Sequence, residues 1–411
     1  MLKRLHLLLA LFILTVNAAM AQITTSGISG KITSDGENVI GATVTAIHQP
    51  SGTVYRAVTN IDGRYTIQGM RPGGPYKVDI SYIGYKDKVI KNLNLSLGET
   101  ENISCSLQED AHQLQEVVVS GKAGLAASRT GAATSMTAEQ INNMPSITHG
   151  IADVARLNPQ LTVTNSGNMS FAGVNNRYNN FMIDGAANND VFGLASSGNN
   201  GGQAGAQPVS METIEQIQVS VAPFDVRQSG FTGGAINAIT KSGTNQFHGS
   251  AYYYGYNQDL IGTKYPYLDG TGYAPKYQKQ TQYNMGVTLG GPIIKNKLFF
   301  FANYERTNKE YPNLYGVDSG NSKVNTEQAK DILTMLQNIA EKQGVNFNDY
   351  YSNQDIYTKS DKAGLKLDWN INEFNKFAIR WSLVKAEQLS GGGSASSLNS
   401  YGYSYPFKSN T

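Results

Sequence analysis

Three stretches near the end of the chain alternate apolar and polar residues over eight positions each. Residues 282–289 read QYNMGVTL, residues 362–369 read KAGLKLDW, and residues 376–383 read KFAIRWSL. A fourth run, LFFFANY at 298–304, also places apolar residues at every second position. Because successive side chains on a β-strand point to opposite faces, each run predicts a strand with one apolar face and one largely polar face.

The segments between these runs fall into two length classes. Residues 293–297 and 371–375 are short enough to be turns, whereas residues 257–281 and 307–359 are long and polar. Short turns on one side and long loops on the other are typical of an outer-membrane β-barrel. A soluble β-sandwich gives similar alternation, but its connections have no reason to sort by side. Within the second long loop, residues 326–343 have apolar side chains at helical spacing, and Gly344 is a helix-stop residue.

The first residues have the features of a secretory signal peptide. Lys3 and Arg4 precede an apolar run at 5–16, and the small residues Ala19 and Ala21 predict cleavage after position 21. We therefore expect residues 1–21 to be removed and the mature chain to begin at Gln22. Beyond that point no apolar run approaches the length of a membrane-spanning helix, so membrane residence would require a barrel.

Composition argues against several functional classes. A net charge of +2 argues against nucleic acid as a partner, and the single Cys105 excludes an internal disulfide and a thiolate metal site. The histidines, at 6, 48, 112, 149 and 248, show no metal-ligand spacing. No nucleophile elbow or phosphate-binding loop is present in the sequence. We therefore expect no enzymatic activity, no catalytic residue, no cofactor and no metal site.

Three further regions precede the alternating runs. Residues 22–108 contain short strand patterns separated by Gly, Asp and Pro turns, which predict a small β-sandwich. Residues 109–122 form a connector. Residues 123–245 mix strand patterns, including 181–183 and 214–221, with a capping box at 137–140 and a helical pattern at 147–157. The capping box and the helical pattern make this region mixed α/β.

The connector contains a valine run behind a polar lead-in. Its candidate contact residues are Leu114, Gln115, Glu116, Val117, Val118 and Val119. Such a run can add as a strand to the exposed edge of another sheet. It can equally be the first strand of the next domain, and spacing alone does not separate the two.

An asparagine-rich segment of the mixed region is a candidate ligand-binding surface. Its candidate residues are Asn175, Asn176, Arg177, Tyr178, Asn188 and Asn189. Side-chain amides in this pattern are able to hydrogen-bond a sugar or a peptide. Asn and Gly also simply make turns, so both readings stay open.

Several motifs carry a resemblance to known families. Residues 59–65, TNIDGRY, resemble the central motif of the carboxypeptidase regulatory-like domain, which is transthyretin-like and has no catalytic group. Residues 173–185, GVNNRYNNFMIDG, then 211–217, METIEQI, and 233–237, GGAIN, resemble the plug signature of TonB-dependent outer-membrane receptors, most closely the Oar-like group. The plug-motif residues carried over are Asp184, Gly185, Gly233 and Gly234.

This resemblance implies a fold and a function. The fold class is mainly β, with a transthyretin-like β-sandwich (22–108), a linker with a candidate TonB box (109–122), a mixed α/β plug (123–245) and the first strands of an outer-membrane barrel (246–411). The implied protein lies in the outer membrane of a Gram-negative bacterium, surrounded by lipid, and imports a nutrient ligand into the periplasm. TonB is the implied energy-transducing partner. By analogy with glycan-uptake relatives, a surface lipoprotein is a further candidate partner.

The length of the last region departs from the family pattern. Such receptors close a barrel of about 22 strands, which at about 9 to 11 residues per strand needs on the order of 200 residues. Only 166 residues follow position 245, with five candidate strands, and residues 401–405 read as loop. We therefore expect an N-terminal fragment of a longer receptor. The main alternative is a secreted or surface-attached adhesin, and a more distant one is an accessory domain of a secreted peptidase.

Overall fold

The computed structural model divides the chain into three units. It describes residues 24–109, 118–120, 132–144, 146, 149–164, 169–190, 195, 197–221, 232–260, 279–312, 326–344, 355–390 and 405–410. We name the units the N-terminal sandwich (residues 24–109 and 118–120), the middle domain (132–240) and the C-terminal sheet (248–410). The predicted signal peptide lies outside the described residues.

The N-terminal sandwich is all β, as the turn pattern predicts. Its strands are β1 (Ser26–Ser34), β2 (Glu37–Asn38), β3 (Thr43–His48), β4 (Thr53–Val58), β5 (Arg64–Met70), β6 (Gly73–Ser81), β7 (Lys88–Leu95), β8 (Thr100–Asn102), β9 (Cys105–Ser106) and β10 (Val118–Ser120). One sheet contains β1, β2, β5, β8 and β9, and the other has the order β10-β7-β6-β3-β4. Alternate residues of both sheets, such as Ile28, Val44, Val78 and Ile80, are fully buried in one core. Cys105 packs at the margin of this core.

The middle domain contains a five-stranded sheet and short helices. Its elements are β11 (Ala132–Thr137), α1 (Ala138–Asn143), α2 (Ile151–Ala155), β12 (Leu161–Val163), β13 (Met169–Phe171), β14 (Asn180–Ile183), β15 (Ala186–Ala187), β16 (Ile214–Val221) and β17 (Gly234–Thr240). The sheet order is β11-β16-β17-β14-β15, with β14 parallel to β17. Thr137 and Gln140 form the predicted capping box at the start of α1. The prediction of one helix over 147–157 is wrong in length, because His149 takes a positive φ of 49° and α2 begins only after Gly150.

Two glycines of the plug-like signature allow close packing. A Cβ on Gly234 would lie 2.3 Å from the Phe171 ring, and a Cβ on Gly233 would lie 2.4 Å from the Asn179 amide oxygen. Distances this short exclude any larger residue unless the neighbour moves. The GG pair therefore allows the start of β17 to approach the end of β13 and the residue before β14.

The C-terminal sheet is an antiparallel meander. Its strands follow chain order and are β18 (His248–Asn257), β19 (Thr281–Ile294), β20 (Leu298–Tyr311), β21 (Ile356–Asn370), β22 (Lys376–Ser390) and β23 (Tyr405–Asn410). The turns at 295–297 and 371–375 are short, as predicted, and helix α3 (Thr326–Lys342) lies in the second long loop. No helix in the described part of the chain is both long and apolar enough to cross a membrane.

The predicted count of five strands is wrong. Residues 405–410 form a sixth strand, with Tyr405 opposite Ser390 and Asn410 opposite Lys385. Its sequence, YPFKSN, lacks the clear alternation of the other strands. The ladder with β22 supplies the hydrogen bonds that this strand needs, and a neighbouring strand of this kind is not visible in the local sequence.

Burial on the C-terminal sheet is the reverse of that in a water-soluble domain. The apolar positions of the alternating runs point outward and are exposed, among them Val287, Leu289, Leu365, Ile379 and Trp381. Charged positions on the other face are buried: Glu305, Lys362 and Lys366 against the middle domain, and Asp368 beside Arg71 of the N-terminal sandwich. Since charged side chains are rarely buried in soluble proteins unless paired, this arrangement indicates that the outer face contacts lipid.

This arrangement predicts opposite tolerance of charge on the two faces. Val287 is the seventh of fourteen residues in β19 and points outward. In the full-length protein in lipid, Val287→Lys should therefore cost about 2–4 kcal/mol of folding free energy. Thr307→Lys, on the polar side of β20, should cost much less. Urea unfolding in lipid vesicles measures both variants, and equal losses would contradict the assignment of the faces.

A buried histidine gives the N-terminal sandwich a predictable response to acid. Burial, together with the Arg71 cation, lowers the pKa of His48 from 6.5 to about 3. Since the folded state holds His48 neutral, the unfolded state takes up the proton first. The free energy of unfolding is therefore unaffected by His48 above pH 6.5 and decreases as the pH falls from 6.5 towards 3. The slope is at most about 1.4 kcal/mol per pH unit. Thermal unfolding of His48→Gln should show a flatter pH dependence across this interval than the unaltered protein, and an identical dependence would contradict the assignment.

Candidate functional site

Asp184 links the middle domain to the inner face of the C-terminal sheet. On the sheet side, Lys366 Nζ lies 3.3 Å from Asp184 Oδ1, and Arg380 Nε lies 3.5 Å from Asp184 Oδ2. On the middle-domain side, the carboxylate accepts hydrogen bonds from Thr240 N at 2.9 Å and from Thr240 Oγ1 at 2.6 Å. Lys366 Nζ also donates to the Thr240 carbonyl at 3.0 Å.

The local backbone explains why an aspartate stands here. Strand β14 ends at Ile183, and Asp184 takes a φ of +48° before Gly185 at +80°. Asp tolerates the left-handed region better than most residues, and Gly adopts it without steric cost. The Asp–Gly pair therefore makes the turn to β15 while its carboxylate points at the two cations of the sheet.

A second charge cluster lies about Glu305 on β20. Lys362 Nζ donates to Glu305 Oε1 at 2.6 Å, and both residues are only 6% exposed. Ser210 of the middle domain donates to Glu305 Oε2 at 2.5 Å, and Tyr252 Oη donates to the same oxygen at 2.7 Å. The buried carboxylate thus has a charge partner from the sheet and a hydroxyl partner from the middle domain.

The two clusters hold the middle domain against the sheet. Breaking a buried ion pair by removal of one partner typically costs about 3–5 kcal/mol, because an uncompensated charge stays buried. Separation of the domain from the sheet would expose both carboxylates to water, so the contacts are reversible if work is supplied. Within the described ranges, no group of His, Cys, Asp and Glu is arranged to hold a metal ion.

Sequence reasoning did not identify the partners in these clusters. Lys362 and Lys366 occupy polar positions of the run 362–369, so their inward direction follows from alternation. Nothing in the local sequence shows that Asp184 or Ser210 would lie opposite them. The Asp184–Lys366 contact joins residues 182 positions apart and depends on the packing of two separate units.

The N-terminal sandwich contacts the side of the sheet with the short turns. Arg56 pairs with Glu373 at 2.6 Å, and Arg71 pairs with Asp368 at 3.3 Å. Further hydrogen bonds are Asn370 Nδ2 to Thr53 Oγ1, Asn245 N to the Pro50 carbonyl and Gln218 Nε2 to the Leu97 carbonyl. A cavity of about 360 Å³ lies between the three units. The long loops of the sheet are therefore on the side away from the sandwich.

The structure brings the predicted ligand-binding residues to the end of the middle domain opposite the sandwich. Strand β14 starts at Asn180 and ends beside Thr240 and the sandwich-side cavity. Asn175, Arg177 and Tyr178 precede it and are exposed. Asn175 Oδ1 accepts a hydrogen bond from Arg177 N at 3.0 Å, so this side chain also shapes its own turn.

Among the other predicted ligand residues, the Asn189 side chain makes hydrogen bonds within the middle domain. Asn189 Oδ1 accepts from Phe181 N at 2.8 Å, and its amide donates to Asn180 Oδ1 at 3.0 Å. Asn188 is partly buried, and its Oδ1 has no hydrogen-bond partner among the described residues. Asn176 lies in a short 3₁₀ helix with Arg177 and Tyr178. Arg177 and Tyr178 are the members of the set whose exposed side chains best suit contact with a ligand.

Only the end of the candidate TonB box lies in the described part of the chain. Val118 and Val119 belong to β10, which pairs in parallel with β7, Val118 opposite Val89 and Val119 opposite Ile90. Leu114, Gln115, Glu116 and Val117 lie outside the described residues. The middle domain begins with β11 at Ala132, so 118–120 add to the edge of the N-terminal sandwich.

The Asp184 cluster predicts a large effect of charge removal. Asp184→Asn keeps a residue that tolerates positive φ but leaves Lys366 and Arg380 without their carboxylate. We expect a loss of about 3 kcal/mol in the free energy of unfolding in detergent micelles. Glu373→Gln removes an exposed ion pair and should cost less than about 1 kcal/mol. Similar losses in the two variants would show that Asp184 does not make a specially stabilising contact.

Comparisons with known proteins agree with this arrangement. Family models match for a carboxypeptidase regulatory-like domain at residues 27–108, a TonB-dependent receptor plug domain at 126–236 and an outer membrane beta barrel domain at 239–316. The TonB-dependent transporter Oar of Myxococcus xanthus is 29% identical over 259 residues, which are 60% of this chain and 23% of Oar. The probable TonB-dependent siderophore receptor PirA of Acinetobacter baumannii is 25% identical over 188 residues, 42% of this chain and 22% of PirA.

Solved structures include similar chains. The outer membrane transporter YddB of Escherichia coli aligns with a TM-score of 0.42 and 15% identity, over 64% of this chain and 34% of YddB. The chain spans about a quarter of the length of the curated relatives it matches. The chain thus carries a regulatory-like domain, a TonB-dependent receptor plug domain and outer membrane beta barrel strands in that order, and over these parts it is similar to TonB-dependent outer-membrane receptors.

Proposed function

We propose that this chain forms the energy-coupled part of a transporter that imports a nutrient ligand across the outer membrane. The observation that carries the proposal is the packing of the middle domain against the polar inner face of the C-terminal sheet, held by the Asp184 and Glu305 clusters. A domain in this position obstructs the lumen, so passage requires its displacement. Contacts made of ion pairs and hydrogen bonds permit displacement, because water can solvate each group after separation.

In the proposal, the candidate box receives the force. In the proposal TonB binds residues 114–119 by strand addition and pulls the chain towards the periplasm. The first element of the middle domain after the box is β11, an edge strand that pairs with β16 from Ala132 opposite Val221 to Thr137 opposite Gln216. A pull from the N-terminal side therefore acts first on an edge strand, and the interior of the sheet follows.

The ligand would bind at the opposite side. The exposed side chains of Arg177 and Tyr178, with the neighbouring asparagines, lie away from the N-terminal sandwich and on the side of the long loops. Amides, a guanidinium and a phenol can hydrogen-bond a sugar or a peptide. None of these residues selects an iron chelate. A surface lipoprotein that covers the ligand is a further part of the proposal.

Strand addition by the box has a direct test. Val118→Pro removes a backbone N–H and should abolish capture of the receptor by an immobilised periplasmic domain of TonB. Val118→Thr keeps the N–H and a β-branched side chain, so its capture should be unchanged. Undiminished capture of Val118→Pro would rule out this segment as the TonB box.

A further inference from the structure

The N-terminal sandwich presents four branched apolar side chains to solvent at one of its ends. Ile40, Val58, Ile61 and Ile83 are between 51% and 94% exposed. Single exposed apolar residues are common on protein surfaces, whereas a group of them in one place marks an interaction site. The position of this group relative to the rest of the chain suggests its partner.

Backbone contacts show that the four residues share one end. Gly41 N donates to the Thr59 carbonyl at 3.1 Å, which brings the residue after Ile40 next to the residue after Val58. A Cβ on Gly41 would lie 3.7 Å from the Tyr82 ring, so the residue before Ile83 is also adjacent. Ile61 lies two residues beyond Thr59 in the same turn. We call this group the apolar end.

The apolar end faces away from the C-terminal sheet. Strand β4 begins at Thr53, which contacts Asn370 of the sheet, and ends at Val58. Five residues of strand separate these points by about 16 Å. The start of β3 and the end of β6 lie at the same end as Val58, since Thr43 pairs with Val58 and with Ser81 in two antiparallel ladders. The sheet therefore leaves the apolar end uncovered.

Both described residues that flank 110–117 lie at this same end. Glu109 forms a bridge with Tyr85, two residues after Ile83. Val118 lies opposite Val89, near the start of β7, where Lys88 pairs with Ile80 close to the end of β6. The segment that carries most of the candidate TonB box thus leaves and rejoins the sandwich beside the apolar end.

A strand alone makes a small interface. Stable protein–protein contacts bury about 1,200–2,000 Å² in total, with an apolar centre and a polar rim. A strand of six residues supplies only a small part of this buried area, so a stable complex needs a further contact surface. The exposed Asp62, next to Ile61 in the chain, adds a charged group beside the apolar end.

We propose that the apolar end is a second contact surface for TonB, which rests on its flank while residues 114–119 add to its sheet. The proposal rests on the proposed function, because it takes TonB as the partner of the box. It adds the N-terminal sandwich to the docking site. Bound TonB would thereby contact the unit that covers the short-turn side of the C-terminal sheet.

Paired charge substitutions test the surface. The full-length receptor in detergent carries Ile61→Asp with Ile83→Asp, and binding of the purified periplasmic domain of TonB is measured by titration calorimetry. We expect at least about tenfold weaker binding, as for the loss of central apolar contacts of an interface. Thr66→Asp, an exposed position on β5 of the same domain, is the matched control and should bind as the unaltered receptor does. Thermal unfolding verifies that all variants are folded.

The outcomes separate the surface from the box. If Val118→Pro abolishes binding and the variant with Ile61→Asp and Ile83→Asp binds normally, the role of residues 114–119 is supported and the second surface is overturned. If the unaltered receptor does not bind TonB, the proposed function and the second surface fail together. If the isoleucine variant converts a receptor dimer to a monomer, seen by sedimentation, without a change in TonB affinity, the apolar end contacts a second copy and the proposal is overturned.

Discussion

The structure depends on a constraint that lipid imposes on the C-terminal sheet. Apolar side chains occupy its outer face, so the charged residues of the same strands must turn inward. Buried charges need partners, and Glu305, Lys362 and Lys366 find them among one another and on the middle domain. The requirement for charge compensation therefore also attaches the middle domain to the sheet.

The N-terminal sandwich and the middle domain occupy different sides of the C-terminal sheet. The N-terminal sandwich lies on the short-turn side, the middle domain lies against the inner face, and the ligand candidates lie towards the long loops. In the proposed function, a pull at the connector reaches the middle domain through the edge strand β11. In the proposal, the apolar end of the sandwich contacts TonB, the partner that supplies the pull.

The positions of the strands, and which face of each strand is apolar, were predictable where contact with lipid alone sets the pattern. The runs about Met285, Leu365 and Ile379 alternate because one face meets lipid, and the structure confirms these strands and their short turns. The capping box at Thr137 is likewise a local hydrogen-bond pattern that the structure confirms. The strand at Tyr405–Asn410 was missed, since its pairing with β22 and not its own composition makes it a strand.

Periodicity and turn chemistry, which act over a few residues, were enough to assign the strands and their two faces, whereas the plug motifs came from a resemblance to known receptors. The contacts of Asp184 with Lys366 and Arg380, of Ser210 with Glu305, and of Val118 with the edge of the N-terminal sandwich became visible in the folded chain alone. Such contacts join segments tens to hundreds of residues apart. Their geometry depends on how whole sheets pack, and local sequence patterns do not predict that packing.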